Sequence, residues 1–373
     1  MPYSFNGNQT HSLGVEIELQ LVDAETLALS NAVQQILDRV PQKWTDKIKP
    51  ELMQSYCEFN SDVCTTVKNV ESDLVEKLQW GRSVAQELGL KFVWGGTHAF
   101  SPWYEQEYSP GDRYEWLTHV MQDISRRLVA FGLHIHVGVD SGDKAIQLCD
   151  RLLRHLPTLL ALSANSPMWN GRETGLASYR SKLMDALPTA GLPQHMRNWS
   201  EYVWLVDHMI ASGFLRSIRE IWWDARPHHE FGTVEVRIMD MPLNMRHLLS
   251  LVALTQSLIA AISEQIDHGA YLYDCHPMIA KQNKWHAARF GMDAMLVDPD
   301  TMQGVPARQT VTRLMTLCAP FAEQLGCAEE LLGLSDIIEH GNGAQRQREV
   351  YQRTGDMREV VKYLIEQGEQ AMV

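Results

Sequence analysis

One pattern constrains this chain more than any other: apolar residues alternating with ionisable ones, met in three separate segments. Segment 13–21 reads LGVEIELQL, in which Leu13, Val15, Ile17, Leu19 and Leu21 alternate with Gly14, Glu16, Glu18 and Gln20. Period two is the strand period, because successive side chains point to opposite faces of a pleated chain. Glu16 and Glu18 therefore share a face, with α-carbons roughly 7 Å apart. At that spacing each carboxylate can hold one of two neighbouring cations. Segment 132–139, GLHIHVGV, sets Leu133, Ile135 and Val137 against His134 and His136. Segment 232–239, GTVEVRIM, sets Val234, Val236 and Ile238 against Glu235 and Arg237. Taken singly, each reads as an ordinary amphipathic strand. A sheet face turned only to water more typically carries Lys, Thr, Ser and Gln. Together the three strands offer Glu, Glu, His, His, Glu and Arg, a set suited to cations and phosphate.

A fourth segment adds acids. In KPELMQSYCEFNSDVC, Glu51 and Glu58 are seven residues apart, an interval that lines up on one helix face over two turns. The plain reading is a solvated helix face; the functional one turns both acids toward the sheet. Several carboxylates with one imidazole suit magnesium or manganese better than zinc.

Composition narrows the partners. A net charge of −13 over 373 residues argues against general binding to nucleic acid or to an anionic membrane. It leaves nucleotides open, since their charge is met locally. The six cysteines form no CxxC pair, and MPYSFNGNQTHS has neither a basic start nor an apolar run. Reduced thiols in the cytoplasm are the expectation. The apolar stretch 248–263 is short for a membrane span and reads as a core helix.

Strands are expected at 13–22, 90–95, 132–139 and 232–239. Helices are expected at 72–88, with Ser72 as N-cap, at 143–163, and mostly from 311 onward, broken at Gly341-Asn342-Gly343. Strands and helices do not alternate regularly, which speaks against a doubly wound parallel sheet. The expected class is α+β, an antiparallel sheet with helices on one side, in a single domain over 1–373. Two long irregular connections, 95–113 and 164–195, are candidate binding loops.

The ordered segments GVEIELQLVD, PELMQSYCEFNSDVC, GGTHAF, FGLHIHVGV, LSANSPMWNGRETGLASYRS, WWDARPHHEFGTVEVRIMD and WHAARFG resemble the type 2 glutamate–cysteine ligase family, in its bacterial carboxylate–amine ligase subfamily. The resemblance spans about residues 12–350. It implies a fold similar to the catalytic domain of glutamine synthetase: a curved antiparallel sheet, open on its concave side and backed by helices. It also implies ATP-dependent amide formation through an acyl phosphate, with glutamate and cysteine giving γ-glutamylcysteine and magnesium (or manganese) as cofactor. The sequence does not fix the oligomeric state; a homo-oligomer, most simply a dimer, is the expectation. By the same resemblance, Glu16, His134 and Glu235 hold the metal that bridges the ATP phosphates, and Glu18, Glu51 and Glu58 hold a second metal near the amino acid. His136 lies beside the nucleotide, Arg237 contacts the acyl-phosphate region or the substrate carboxylate, and Arg226 is a second phosphate contact. Arg180, Arg289 and His98 fall in family motifs and are candidate substrate contacts, with loop-anchoring hydrogen bonds as the plainer reading. Ala99 stands where many relatives are expected to carry proline, and Asn165 where small residues are common, which bears on substrate identity rather than on reaction type. The alternatives are a ligase acting on another carboxylate–amine pair, a metal-dependent hydrolase using the HIH segment, and a ligase-like binding protein without catalysis.

Overall fold

The longest strand organises the sheet. In this computed structural model, which describes residues 3–8, 11–270 and 275–370, β1 runs from Leu13 to Asp23. β2 (Ile48–Pro50) and β3 (Tyr56–Asn60) form a hairpin along one edge of β1. Along the other edge lie β4 (Leu90–Val93), opposite residues 20–23, and β5 (Gly132–Gly138), opposite residues 13–17. A small hairpin, β6 (Met168–Trp169) and β7 (Arg172–Glu173), stands apart. β8 (Ala225–His228) and β9 (Thr233–Asp240) then extend the sheet, giving the order β2-β3-β1-β5-β9-β8, with β4 pairing β1 off this path. Every pairing in it is antiparallel.

The α+β expectation is met: the sheet is open, and its apolar face is covered by helices. Leu13, Val15, Ile17, Leu133, Ile135, Val234 and Val236 sit in one core with the Met245–Asp267 helix. That helix contains the expected 248–263 segment, and Asn244 caps it by accepting from His247 N at 2.9 Å. It is the one helix among the described residues long and apolar enough to cross a membrane, yet 94% of its apolar window is buried inside the protein. It is a core helix. The Val67–Glu87 helix packs on the same core, closely enough that a β-carbon on Gly81 would lie 2.8 Å from the Phe59 ring.

Four local expectations are corrected. The 72–88 helix begins at Val67, because Thr66 rather than Ser72 caps it by accepting from Asn69 N. The 143–163 segment is two helices, Gly142–Leu152 and Leu156–Ser163, the second starting with a proline in its first turn. Tyr56–Asn60, expected to be helical, is a strand with both faces buried. Glu51 lies in the connection just past β2. By contrast, Asn342 of the Gly-Asn-Gly break opens the Gly343–Thr354 helix through a capping box with Gln345.

Candidate active site

The register stacks the ionisable residues in rows across the polar face. One row runs Arg226 (β8), Glu235 (β9), His136 (β5). The next brings His134 and Asn60 to either side of Glu16. In the third, Glu18 faces Glu58, which in turn faces Lys49. Cross-strand neighbours share a face, and like charges directly opposite destabilise a sheet. Such a row therefore calls for a countercharge. From these rows Arg226, Glu16, His134, Glu18, Glu58 and Lys49 line a cavity of about 520 Å³.

Among the described residues, two sets of three bring their ligand atoms within 4.8 Å of one another: Glu16, His136, Glu235 and Glu18, Glu51, Glu58. The second set is the one the resemblance implies, reached by a hairpin instead of a helix. The first set differs from expectation, since His136 closes it in place of His134. The register explains the exchange: His136 pairs directly with Glu235, whereas at His134 the pairing of β5 with β9 slips by one residue. His134 instead leans on Glu16, Nδ1 to Oε2 at 3.2 Å. The Nε2 atoms of both histidines are buried without a hydrogen-bond partner. His136 Nε2 lies 3.4 Å from Glu16 Oε1, within ion-pair range. Orphaned imidazole nitrogens beside converging carboxylates fit a divalent cation of the oxygen-preferring kind.

The two sets differ electrically. Burial would raise Glu16, but the contacts from His134 and His136 outweigh it and hold the carboxyl well below its usual range. Glu235 is likewise held well below, its burial overcome by Arg226 and Arg237. Burial followed by the charge of Glu51 pushes Glu18 up to about 8, against the opposing pull of Arg180 and the Gly132 N–H. Glu58 is also raised well above the carboxylate range, by burial and then by Glu16 and Glu51. Burial brings His134 down to about 4, with Arg237 adding to the effect. His136 is raised, since Glu235 and Glu16 overcome its burial. Thus Glu16 and Glu235 are charged and compensated by imidazole and guanidinium, while Glu18 and Glu58 keep protons until a cation replaces them.

The arginines divide their work. Arg226 makes four hydrogen bonds, two to Glu235 and one each to the carbonyls of Arg219 and Ile221. Of a guanidinium's five donors that leaves one, so Arg226 chiefly holds Glu235 in place. Arg237 donates from Nη1 to Glu235 Oε1 at 2.5 Å and lines the cavity. Arg180 also lines it, reaching from the 164–195 connection to the carbonyls of Arg237 and Ile238, where β9 carries an extra residue against β5. A bulge of this kind frees backbone carbonyls, and here the guanidinium takes them. Gly132 makes room for it, because a β-carbon there would lie 2.1 Å from Arg180 Nη2.

His98 and Arg289 do not line the cavity. His98 is buried and held neutral by that burial, its pKa lowered to about 4. Its Nε2–H donates to Leu27 O at 3.0 Å, and Nδ1 accepts from Ser101 N at 3.0 Å. It is a loop anchor. Arg289 lies on the Pro277–Phe290 helix, over the Phe290 ring at 4.8 Å.

Several lining residues were not anticipated: Lys49, Arg113, Tyr114, His228 and Phe231. Lys49 stood two places before an acid already singled out, but only the register brings it to the same face. His228 and Phe231 lie inside the WWDARPHHEF segment and were passed over for its arginine. Asp240 was missed as well. It accepts from Asn165 N, Ser166 Oγ and Ser178 Oγ at 2.8, 2.6 and 2.8 Å, which pins the Arg180-bearing connection to the end of β9.

Comparison with known proteins agrees with this geometry. The family model described as Glutamate-cysteine ligase family 2 matches residues 12–365. A Thermobifida fusca protein provisionally named glutamate--cysteine ligase 2 is 38% identical over 371 residues, covering 98% of this chain and 93% of that protein. One of the same name from Gloeobacter violaceus is 39% identical over 364 residues, covering 97% and 98%. Among solved structures, the bifunctional glutathione synthetase of Pasteurella multocida is similar with a TM-score of 0.73 at 15% identity; it covers 96% of this chain, which spans 52% of that protein. The glutamate--cysteine ligase of Francisella tularensis, solved in complex with AMP, is similar with a TM-score of 0.71 at 14% identity, covering 99% and 90%. At those identities the likeness is one of fold. The family match and the curated relatives carry the assignment: the chain belongs to glutamate-cysteine ligase family 2, a family of carboxylate–amine ligases.

Proposed function

We propose that the protein joins a carboxylate to an amine at the expense of ATP, with glutamate and cysteine as the substrate pair and γ-glutamylcysteine as the product. The observation that carries this reading is the placement of two ligand sets at adjacent same-face positions of β1, with Glu16 of one set and all three acids of the other lining one cavity. A solved ligase of similar fold is described in complex with AMP, which supports the nucleotide.

In this reading the nucleotide phosphates lie at the Glu16–His136–Glu235 end and the amino-acid carboxylate at the Glu18–Glu51–Glu58 end. Magnesium or manganese bound there would offset the repulsion between phosphates and carboxylate. The glutamate side-chain carboxylate attacks the terminal phosphorus, the bond to ADP breaks, and an acyl phosphate results. The amine then attacks the acyl carbon, phosphate departs, and the amide remains. Arg237 and Arg180 offer donors to the charge that develops between the two ends. Arg226 keeps Glu235 aimed. Lys49 and Arg113 supply positive charge at the amino-acid end, suited to a substrate α-carboxylate. Six free, buried cysteines support a reducing compartment, and we place the enzyme in the cytoplasm.

The acyl phosphate is the step to test. With ATP, magnesium and glutamate but no amino-acid acceptor, added hydroxylamine should intercept it and give the γ-hydroxamate. Amide formation with no hydroxamate under any condition would rule out this intermediate.

A further inference from the structure

The two ends of the cavity are built of different materials. Toward Glu18 the polar lining is Lys49, Arg113 and Tyr114, set among apolar residues such as Leu117 and Met121 of the same helix as Arg113. Toward Glu235 it ends in aromatic rings, His228 and Phe231. Phe231 is 58% exposed, an apolar ring left to water at the rim of a charged cavity. Scattered exposed hydrophobes are ordinary. This one is fixed.

Its ring lies flat on His228, with centroids 4.1 Å apart and planes 12° from parallel. His136, a member of the cation-binding set, meets both rings edge-on, His228 at 5.4 Å and Phe231 at 5.7 Å. The turn that carries Phe231 is tied down from outside. Asn6 N donates to His229 O at 2.9 Å, and Asn6 Nδ2 donates to Glu230 O at 3.1 Å. Gly232 has φ +64, and a β-carbon there would fall 1.7 Å from Asn6 O, so only glycine fits beneath this strap. Val139 N closes the turn by donating to Gly232 O at 2.9 Å. One face of the Phe231 ring is covered by His228, and the side chain still remains mostly open.

A flat, rigid ring with a vacant face, next to a site for phosphates and cation, has the form of a stacking platform. We infer that Phe231, backed by His228, is the surface on which the base of the nucleotide lies. The inference rests on the nucleotide reading of the site and adds the contact that separates a nucleotide from bare polyphosphate. A face-on contact recognises a π-surface and places the base at the rim, with the phosphates directed inward past His136.

The test is calorimetric titration of the full chain, in magnesium, with ATP and with inorganic tripolyphosphate as a probe lacking the base. Phe231→Ala should weaken ATP about 5- to 150-fold, the range for loss of one base–aromatic stack, and leave tripolyphosphate unchanged. Phe231→Trp should retain the affinity for ATP. ATP binding that Phe231→Ala leaves untouched overturns the inference alone. So does an equal loss for both ligands, which would report a distorted turn. A wild-type chain that binds no ATP overturns the nucleotide reading and this inference with it.

Discussion

Glu16 and Glu18 are two residues apart on one strand face and carry opposite protonation. Hydrogen-bonding contacts with imidazole keep Glu16 ionised, while burial and a neighbouring acid push Glu18 up to about 8. Their substitutions should therefore separate. Glu16→Gln removes a permanent ligand charge and should lower turnover by about 100- to 1000-fold, measured as ATP-dependent phosphate release, with the far-ultraviolet circular dichroism unchanged. Glu18→Gln acts through pH. Because Glu18's folded pKa is above its ordinary value of 4.5, the group favours the folded state below that value and loses the contribution as pH rises through about 8. The thermal midpoint of the metal-free protein should fall over that interval, and Glu18→Gln should flatten the fall. A wild-type midpoint that climbs toward pH 8, or a variant with the same slope, would contradict the assignment.

At the scale of elements, the question is what holds the arginines. The register slip between β5 and β9 frees the carbonyls that Arg180 takes, and Asp240 pins the connection from which Arg180 comes. Asp240→Ala leaves two buried hydroxyls and an amide without their acceptor. It should cost about 3 kcal/mol or more in urea unfolding. Gly132→Ala should fold but displace Arg180, lowering kcat/KM about 10- to 100-fold; an unchanged value would show that Arg180's position is immaterial. This scale is also where the sequence was least legible. The period-two strands were plain because each had one apolar face. The β3 strand was not, because its acids fall seven apart, a helical interval, and both its faces are buried. The β8 strand was not anticipated, and its Pro227 is tolerated because β8 lies at the sheet edge. His134 and His136 were correctly placed on one face, but the slip that decides which of them closes the first set has no local signature.

Across the whole molecule, one apolar face carries the fold and one acidic face carries the site. The sheet class followed from pattern, and the strand order did not, since β2, β3 and β8 were not anticipated. Placing the acids together costs stability unless a cation joins them. Magnesium should therefore raise the thermal midpoint, more at pH 8 than at pH 6, and a chelator should reverse the gain. The central claim is that the two halves of the cavity act on one another's ligands, and joint substrate dependence tests it most directly. Phosphate release from ATP should require both glutamate and an amine, cysteine foremost in an amino-acid panel, with the matching amide detected by mass. Phosphate release indifferent to both substrates, or no release with any pair, would contradict it.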